Sequence, residues 1–195
     1  MSSPTVAEQL VLGGRALIGR EGTGDLSVRR LVEAAGRSTM CVYSHFGNRK
    51  RLLAEVYRSC GDDLLAALAN ARTANGLERD YAAYARSEPR HFQYLFAADL
   101  DGFGLDQSLR LDLIASVLDL AAARLDSSGG ASDGSVPEAA KSGTAKGEGP
   151  QGKASKDAAL AWWLRVHAAV WLDTVQRLAG QPDRFDTAAA LKGPA

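Results

Sequence analysis

Apolar residues recur at three- and four-residue spacing over most of the chain, and alternating β-branched runs are few, so the pattern predicts helices almost throughout. Val6, Leu10, Leu17 and Ile18 share one face of a first helix that ends near Gly22-Thr23-Gly24. Ser27 stands in a cap position before a second helix over 28–35, which Gly36 stops, and a short third helix follows over 38–44. Asn48 opens a long helix, 48–71, whose stripe is Leu53, Val56, Tyr57, Cys60, Leu64 and Leu68. Two more helices are expected over 77–86 and 89–97, the second with Pro89 in its first turn.

Between Leu105 and Leu125 the pattern is apolar on nearly every side, which calls for burial on two faces: one against the chain's own core, one against a partner subunit. The stretch 127–155 has no aromatic residue and a single Val, so it cannot offset its ordering entropy by burial and reads as a flexible surface loop. A strong helix follows over 156–179, carrying Leu160, Trp163, Leu164, His167, Trp171, Val175 and Leu178, with Gly180 and Pro182 ending it. The fold class is therefore all-α. The expected organisation is an N-terminal helix-turn-helix domain over 1–52 and a C-terminal ligand-binding and dimerisation domain over 53–195, joined by the helix of 48–71.

With 195 residues, 46% hydrophobic and 24% charged, the chain can bury a core of ordinary size. Its formal net charge of zero alone argues against a nucleic-acid binder, but the charge is unevenly placed. Between Asp25 and Arg51, six cations face two carboxylates, leaving a basic module of +4 on a body of −4. Two cysteines, Cys41 and Cys60, form neither a disulfide framework nor a metal site. No basic-then-apolar leader opens the sequence, and no apolar run approaches the roughly 18 residues of a membrane span, so a cytoplasmic protein without membrane contact is expected.

The basic module holds AAGRSTMCVYSHFGNRKRLL, Ala34 to Leu53. Two short helices around a Gly turn make a helix-turn-helix, with Leu31, Val32 and Ala35 able to pack on Val42 and Phe46. That packing turns Arg37, Ser38, Thr39, Met40 and Cys41 outward at the front of the second helix, where side chains reach base edges in a major groove. Thr39 and Met40 are the candidates for base contact. Tyr43, His45, Arg49 and Lys50, with Arg51, would lie over phosphates, joined by Arg29 and by the Ser27 hydroxyl. Three successive cations at a helix N-terminus oppose the helix dipole, which points to an anionic partner.

LSVRRLVEAAGRSTMCVYSHFGNRKRLL resembles the N-terminal domain of the tetracycline-repressor (TetR) family of bacterial regulators. Ser27, Ala35, Gly36, Ser38, Tyr43, His45, Phe46, Arg49, Leu52 and Leu53 match the family pattern in order, over roughly residues 5–60. More loosely, YAAYARSEPRHFQYLFA and WLRVHA resemble a subgroup with a Trp-x-x-x-His-Gly signature, Ala168 standing where Gly is usual. The resemblance implies a homodimeric, ligand-responsive regulator, a repressor, bound to a palindromic double-stranded DNA operator and released by a small-molecule effector. Gly13 and Gly14 depart from the family's Ala pair at a cost of roughly 1 kcal/mol each in helix propensity. Val32 replaces a small residue, which predicts a wider helix crossing, while Arg37 either shields the turn or meets DNA.

For the body, Phe92, Phe96, Trp163, His167 and Trp171 read either as packed core or as an apolar pocket with one polar handle. Leu111, Ile114, Leu118, Leu164, Trp171 and Leu178 are the candidate dimer seam. Cys41 raises a redox switch as a side issue, for which Cys60 offers no evident pairing partner. No hydrolase, zincin or phosphate-loop motif occurs, so no catalytic residue, metal or cofactor is expected. The alternative reading is a helical ligand-binding or adaptor protein whose basic head no longer reads a specific DNA sequence.

Overall fold

The structure is a computed structural model that describes residues 3–129 and 150–191. Among them are nine α-helices and one 3-10 turn, with no strand: α1 Val6–Glu21, α2 Val28–Ala34, α3 Thr39–Phe46, α4 Arg49–Ala69, α5 Ala74–Ser87, α6 Pro89–Ala97, the turn Asp101–Phe103, α7 Ser108–Gly129, α8 Pro150–Leu178 and α9 Thr187–Leu191. The all-α expectation holds. Within the stretch expected as a loop, 127–155, α7 runs on to Gly129 and α8 already starts at Pro150. Residues 130–149, the rest of that expectation, lie outside the described residues.

Local chemistry sets most boundaries. Thr5 closes a capping box on α1, its hydroxyl accepting from the Glu8 N–H while the Glu8 carboxylate accepts from the Thr5 N–H. The Thr5 N–H, and after it the Thr5 hydroxyl, hold the Glu8 carboxyl below its ordinary pKa. Asn48 caps α4 by accepting from the Arg51 N–H, and Thr73 caps α5 through the Gly76 N–H. Ser27 differs from the expected cap. It holds the extended N-cap conformation but its hydroxyl makes no cap bond, and its own N–H donates to Asp25 Oδ1 at 3.0 Å instead.

In the head, α1 lies across α2, α3 and α4 around a core of Leu10, Leu17, Ile18, Leu31, Val42, Leu52 and Leu53. Gly13 and Gly14 make this crossing possible. A Cβ on Gly13 would stand 2.6 Å from Ala35 Cα, and one on Gly14 2.7 Å from a Val56 methyl. The propensity cost read from the sequence is the condition for close approach of α1 to the helix-turn-helix.

In the body, α4 packs on α5, α6 and α7, and α8 covers α5 and α7. Tyr57 donates its hydroxyl proton to the Leu95 carbonyl, Tyr84 to that of Cys60, and Tyr94 to that of Leu53, so each buried phenol meets a helix-end or backbone oxygen. Burial pushes the Tyr57 hydroxyl and the Cys60 thiol up to about 12. Head and body also meet where α1 touches α6: His91 Nε2 lies 2.8 Å from the Arg15 carbonyl.

Candidate nucleic-acid interface

The turn between α2 and α3 is built on one glycine. Gly36 adopts φ +62°, a region costly for any residue with a Cβ, and the following Arg37 N–H returns to the Val32 carbonyl at 2.8 Å. This closes α2 and starts α3 at a fixed angle with Ser38 as its N-cap. Within α3 only Val42 is buried. Helix α3 extends two residues beyond the expected 44, to Phe46, which packs half-buried on the core.

Anchoring α3 through Val42 leaves its other faces in solvent. Ser38, Thr39, Met40, Tyr43 and His45 are exposed, Met40 to 71% and Tyr43 to 56%, and so are Ser27, Arg29, Arg37 and Lys50 around them. A Met and a Tyr held this far out of the core gain little from folding.

Two of the expected contact residues are engaged within the protein. Arg49 is half-buried, donates Nε–H to the Leu26 carbonyl at 2.7 Å and sets its guanidinium 5.7 Å from the centre of the Phe103 ring. It therefore ties the start of α4 both to the loop before α2 and to the α6–α7 link. Arg37 donates to Gln9 of α1 and so braces the turn from outside. Cys41 is half-buried; the Ser38 hydroxyl 3.5 Å from its sulfur, aided by the charge of Arg37, lowers its thiol pKa. Cys60 is buried in α4, and both thiols are free.

In the body, Phe92, Phe96, Trp163, His167 and Trp171 come together as expected, but in mutual contact. Trp163 stacks on His167 with centroids 4.6 Å apart, Phe96 meets His167 edge-on at 4.8 Å, and Trp171 stacks on Phe92 at 6.4 Å. Sequence reading missed Tyr81, which completes the cluster: its hydroxyl lies 2.8 Å from His167 Nδ1. The signal was present, since Tyr81 begins the YAAYARS run, but its partner is 86 residues away in sequence. Burial lowers the His167 pKa to about 4.

That shift carries a stability consequence. Between pH 6.5 and 4 the unfolded chain binds a proton at His167 that the folded chain refuses, so stability falls as pH drops through this window. The loss expected at pH 4 is about 2–3 kcal/mol. Urea unfolding at pH 7 and pH 4.5 should show it for the wild type and show a smaller loss for His167→Phe.

The seam candidates sort by exposure. Leu111, Leu164 and Leu178 are exposed at 65%, 56% and 37%, while Ile114, Leu118 and Trp171 are half-buried. Leu160, Leu172 and Val175, exposed at 43%, 38% and 42%, extend the α8 stripe at helical spacing. Among the described residues no helix is long and apolar enough to cross a membrane, and no group of three metal-ligating side chains occurs.

A short helix presented by a Gly-turned partner, with an uncovered polar and aromatic face, defines the helix-turn-helix class of regulators. Residues 10–56 match the family model for bacterial regulatory proteins of the tetR family. Over nearly its whole length the chain has the fold of solved regulators. It aligns with the putative regulatory protein SCO4313 at 21% identity and TM-score 0.64, covering 98% of this chain and 100% of that one. A putative tetR family transcription regulator from Shewanella sp. PV-4 aligns at 16% identity and TM-score 0.58, with 97% and 93% covered. NalD of Pseudomonas aeruginosa, the secondary repressor of the MexAB-OprM multidrug efflux pump, aligns at 15% identity and TM-score 0.57, with 96% and 93% covered. No curated protein matches the chain at a significant level.

Proposed function

We propose that the chain is a homodimeric, ligand-responsive transcriptional repressor that presents α3 to the major groove of a palindromic operator. The observation that carries this reading is the face of α3 that Val42, Cys41 and Phe46 leave open, with Ser38, Thr39, Met40, Tyr43 and His45 exposed. Thr39 and Met40, on its first turn, reach the base edges, Met40 through apolar contact with a thymine methyl. Ser38, Cys41, Tyr43 and His45 flank them, and Arg29, Lys50 and the Ser27 hydroxyl bind phosphates. Arg37 and Arg49 act indirectly, by fixing the turn and the start of α4. The reading head spans 1–52 and the body 53–195, with α4 common to both.

The apolar faces of α7 and α8 support self-association, since two copies meeting there cover Leu111, Leu164 and Leu178 with one another. An effector in the body would favour one separation of the heads, and DNA would weaken that effector by the same factor. The test is selection from a random duplex library at about 150 mM salt, near physiological ionic strength. A palindrome with half-sites about 34–36 Å apart is the expected product. Unselective binding that disappears as salt is added would instead favour the adaptor reading.

Lys50 and Arg49 should separate cleanly in the same assay. Lys50→Ala is expected to reduce the slope of log affinity against log salt by about 1.8, the signature of one lost phosphate contact in each of the two heads. Arg49→Ala should leave that slope nearly unchanged but lower stability by about 1–3 kcal/mol, because the Leu26 carbonyl loses a charged donor. Equal slope changes in both variants would return Arg49 to the phosphates.

A further inference from the structure

We infer that the head carries a ligand site of its own, an open groove between α1 and α4 that takes an apolar organic molecule bearing one positive charge. The groove measures about 670 Å³, within the range of small-molecule sites. Ala7, Val11 and Leu12 line it from α1, and Phe46, the last residue of α3, lines it from the reading helix. Leu12 is 50% exposed and belongs to neither helix of the proposed α7–α8 seam, so association through that seam does not account for it.

The charges around this apolar lining are unbalanced. Three carboxylates, Glu8, Glu55 and Asp62, share the groove with one guanidinium, Arg58. Arg58 is already committed, its Nη1 lying 2.6 Å from Glu55 Oε1. Asp62 has no ion-pair or hydrogen-bond partner among the described residues. Hydrogen bonding from Thr5 lowers the Glu8 pKa, so that group too is a fixed negative charge at neutral pH. Two carboxylates without an ion pair therefore stand beside an apolar surface.

An anion in the groove meets like charge, a neutral molecule gains the apolar walls alone, and a cation gains both. The neighbouring hollow that shares Phe46, Glu55 and Arg58 adds His45, Lys50 and Arg51, a basic lining. The positive end of the ligand is therefore directed to Asp62 and Glu8, away from that side. Phe46 packs half-buried on the core and ends α3, so an occupant of the groove bears on the seat of the reading helix. That last consequence rests on the DNA-reading proposal above; binding itself does not.

The full-length protein is titrated, by calorimetry and by NMR, with three probes on one ring system: naphthylmethylammonium, ethylnaphthalene and naphthoate. At low salt the ammonium should bind about fivefold tighter than the hydrocarbon, the worth of one or two exposed ion pairs, and most of that preference should vanish at about 0.5 M salt. Asp62→Asn should cut the preference to about twofold. Leu12→Ser should weaken ammonium and hydrocarbon alike, by about fivefold. Both substitutions fall on exposed side chains, so the fold is not at stake. The amide resonances of Ala7, Val11 and Leu12 should move, while the indole N–H resonances of Trp162, Trp163 and Trp171, all on α8, stay still. Indole shifts without shifts on α1 put the ligand in the body and overturn the site, as does absence of binding by all three probes. Equal or tighter binding of naphthoate overturns the charge assignment. Loss of self-association in Leu12→Ser, read by sedimentation, shows a second copy on the groove in place of a ligand and likewise overturns it. With a palindrome in hand from the operator selection, the ammonium at half-saturation should lower operator affinity for the wild type and not for Leu12→Ser. Unchanged affinity with binding intact removes the coupling to DNA reading and leaves the site.

Discussion

In the dimer proposed above, Leu164→Glu is expected to leave only monomer. Leu164 is 56% exposed in the single chain, so the folded subunit does not depend on it, and far-ultraviolet circular dichroism should be unchanged. In a dimer built on α7 and α8 the residue is buried twice, once per copy. Losing the burial of what the single chain leaves exposed on two leucines removes about 2–3 kcal/mol, and two carboxylates must also leave water, so Kd should rise roughly a hundredfold. Sedimentation equilibrium at micromolar concentration reads this directly. Operator affinity should collapse with it, because a palindrome is held by two heads linked through their bodies. A Leu164→Glu protein that sediments as a dimer would move the seam away from this face of α8. Leu118→Glu is a less direct probe, since Leu118 is half-buried in the chain's own packing.

Gly13→Ala should destabilise the head even though alanine is the better helix former. The propensity gain is roughly 1 kcal/mol. Against it stands a Cβ at 2.6 Å from both Ala35 Cα and Cβ and 2.7 Å from Ala35 N. Those atoms belong to the end of α2, where the Gly36 turn fixes the backbone, so they cannot move aside as a side-chain tip can. Overpacking of this kind costs about 1–3 kcal/mol, and any relief must come from shifting α2, which displaces α3. DNA affinity should therefore fall more than stability alone predicts. Gly61→Ala is the control: its Cβ would lie 3.3 Å from a Leu113 methyl, a flexible end, and the variant should be neutral or slightly more stable. Equal thermal shifts for the two variants would remove the close approach of α1 to α2 as the reason for Gly13.

These expectations also mark where sequence and structure divide. Helices α1, α2, α3, α4 and α6 are legible because their signals are local. Period 3.6, a Ser or Asn before the first turn, Pro89 at a start and Gly36 at a stop all act within a few residues. The helix-turn-helix is legible for the same reason, since its turn, its caps and its buried Val42 lie inside one 20-residue stretch. Ser27 shows the limit of even local signals: a serine in the cap position looks the same whether or not its hydroxyl closes the cap, and here the Asp25 carboxylate takes the backbone N–H.

What only the tertiary structure decided is which polar groups meet across the chain. Arg49 read as a phosphate contact because it stands with Lys50 and Arg51, and the Leu26 carbonyl and the Phe103 ring that occupy it come from elements on either side of α4. Gly13 read as a loss of helix propensity until Ala35 was brought against it. His167 was one titratable group on an apolar face until Tyr81 met its Nδ1. Backbone preferences and apolar periodicity are properties of adjacent residues, so the sequence carries them on its face. Donor–acceptor matching and close approach depend on where distant segments cross, and that is set only when the whole core packs.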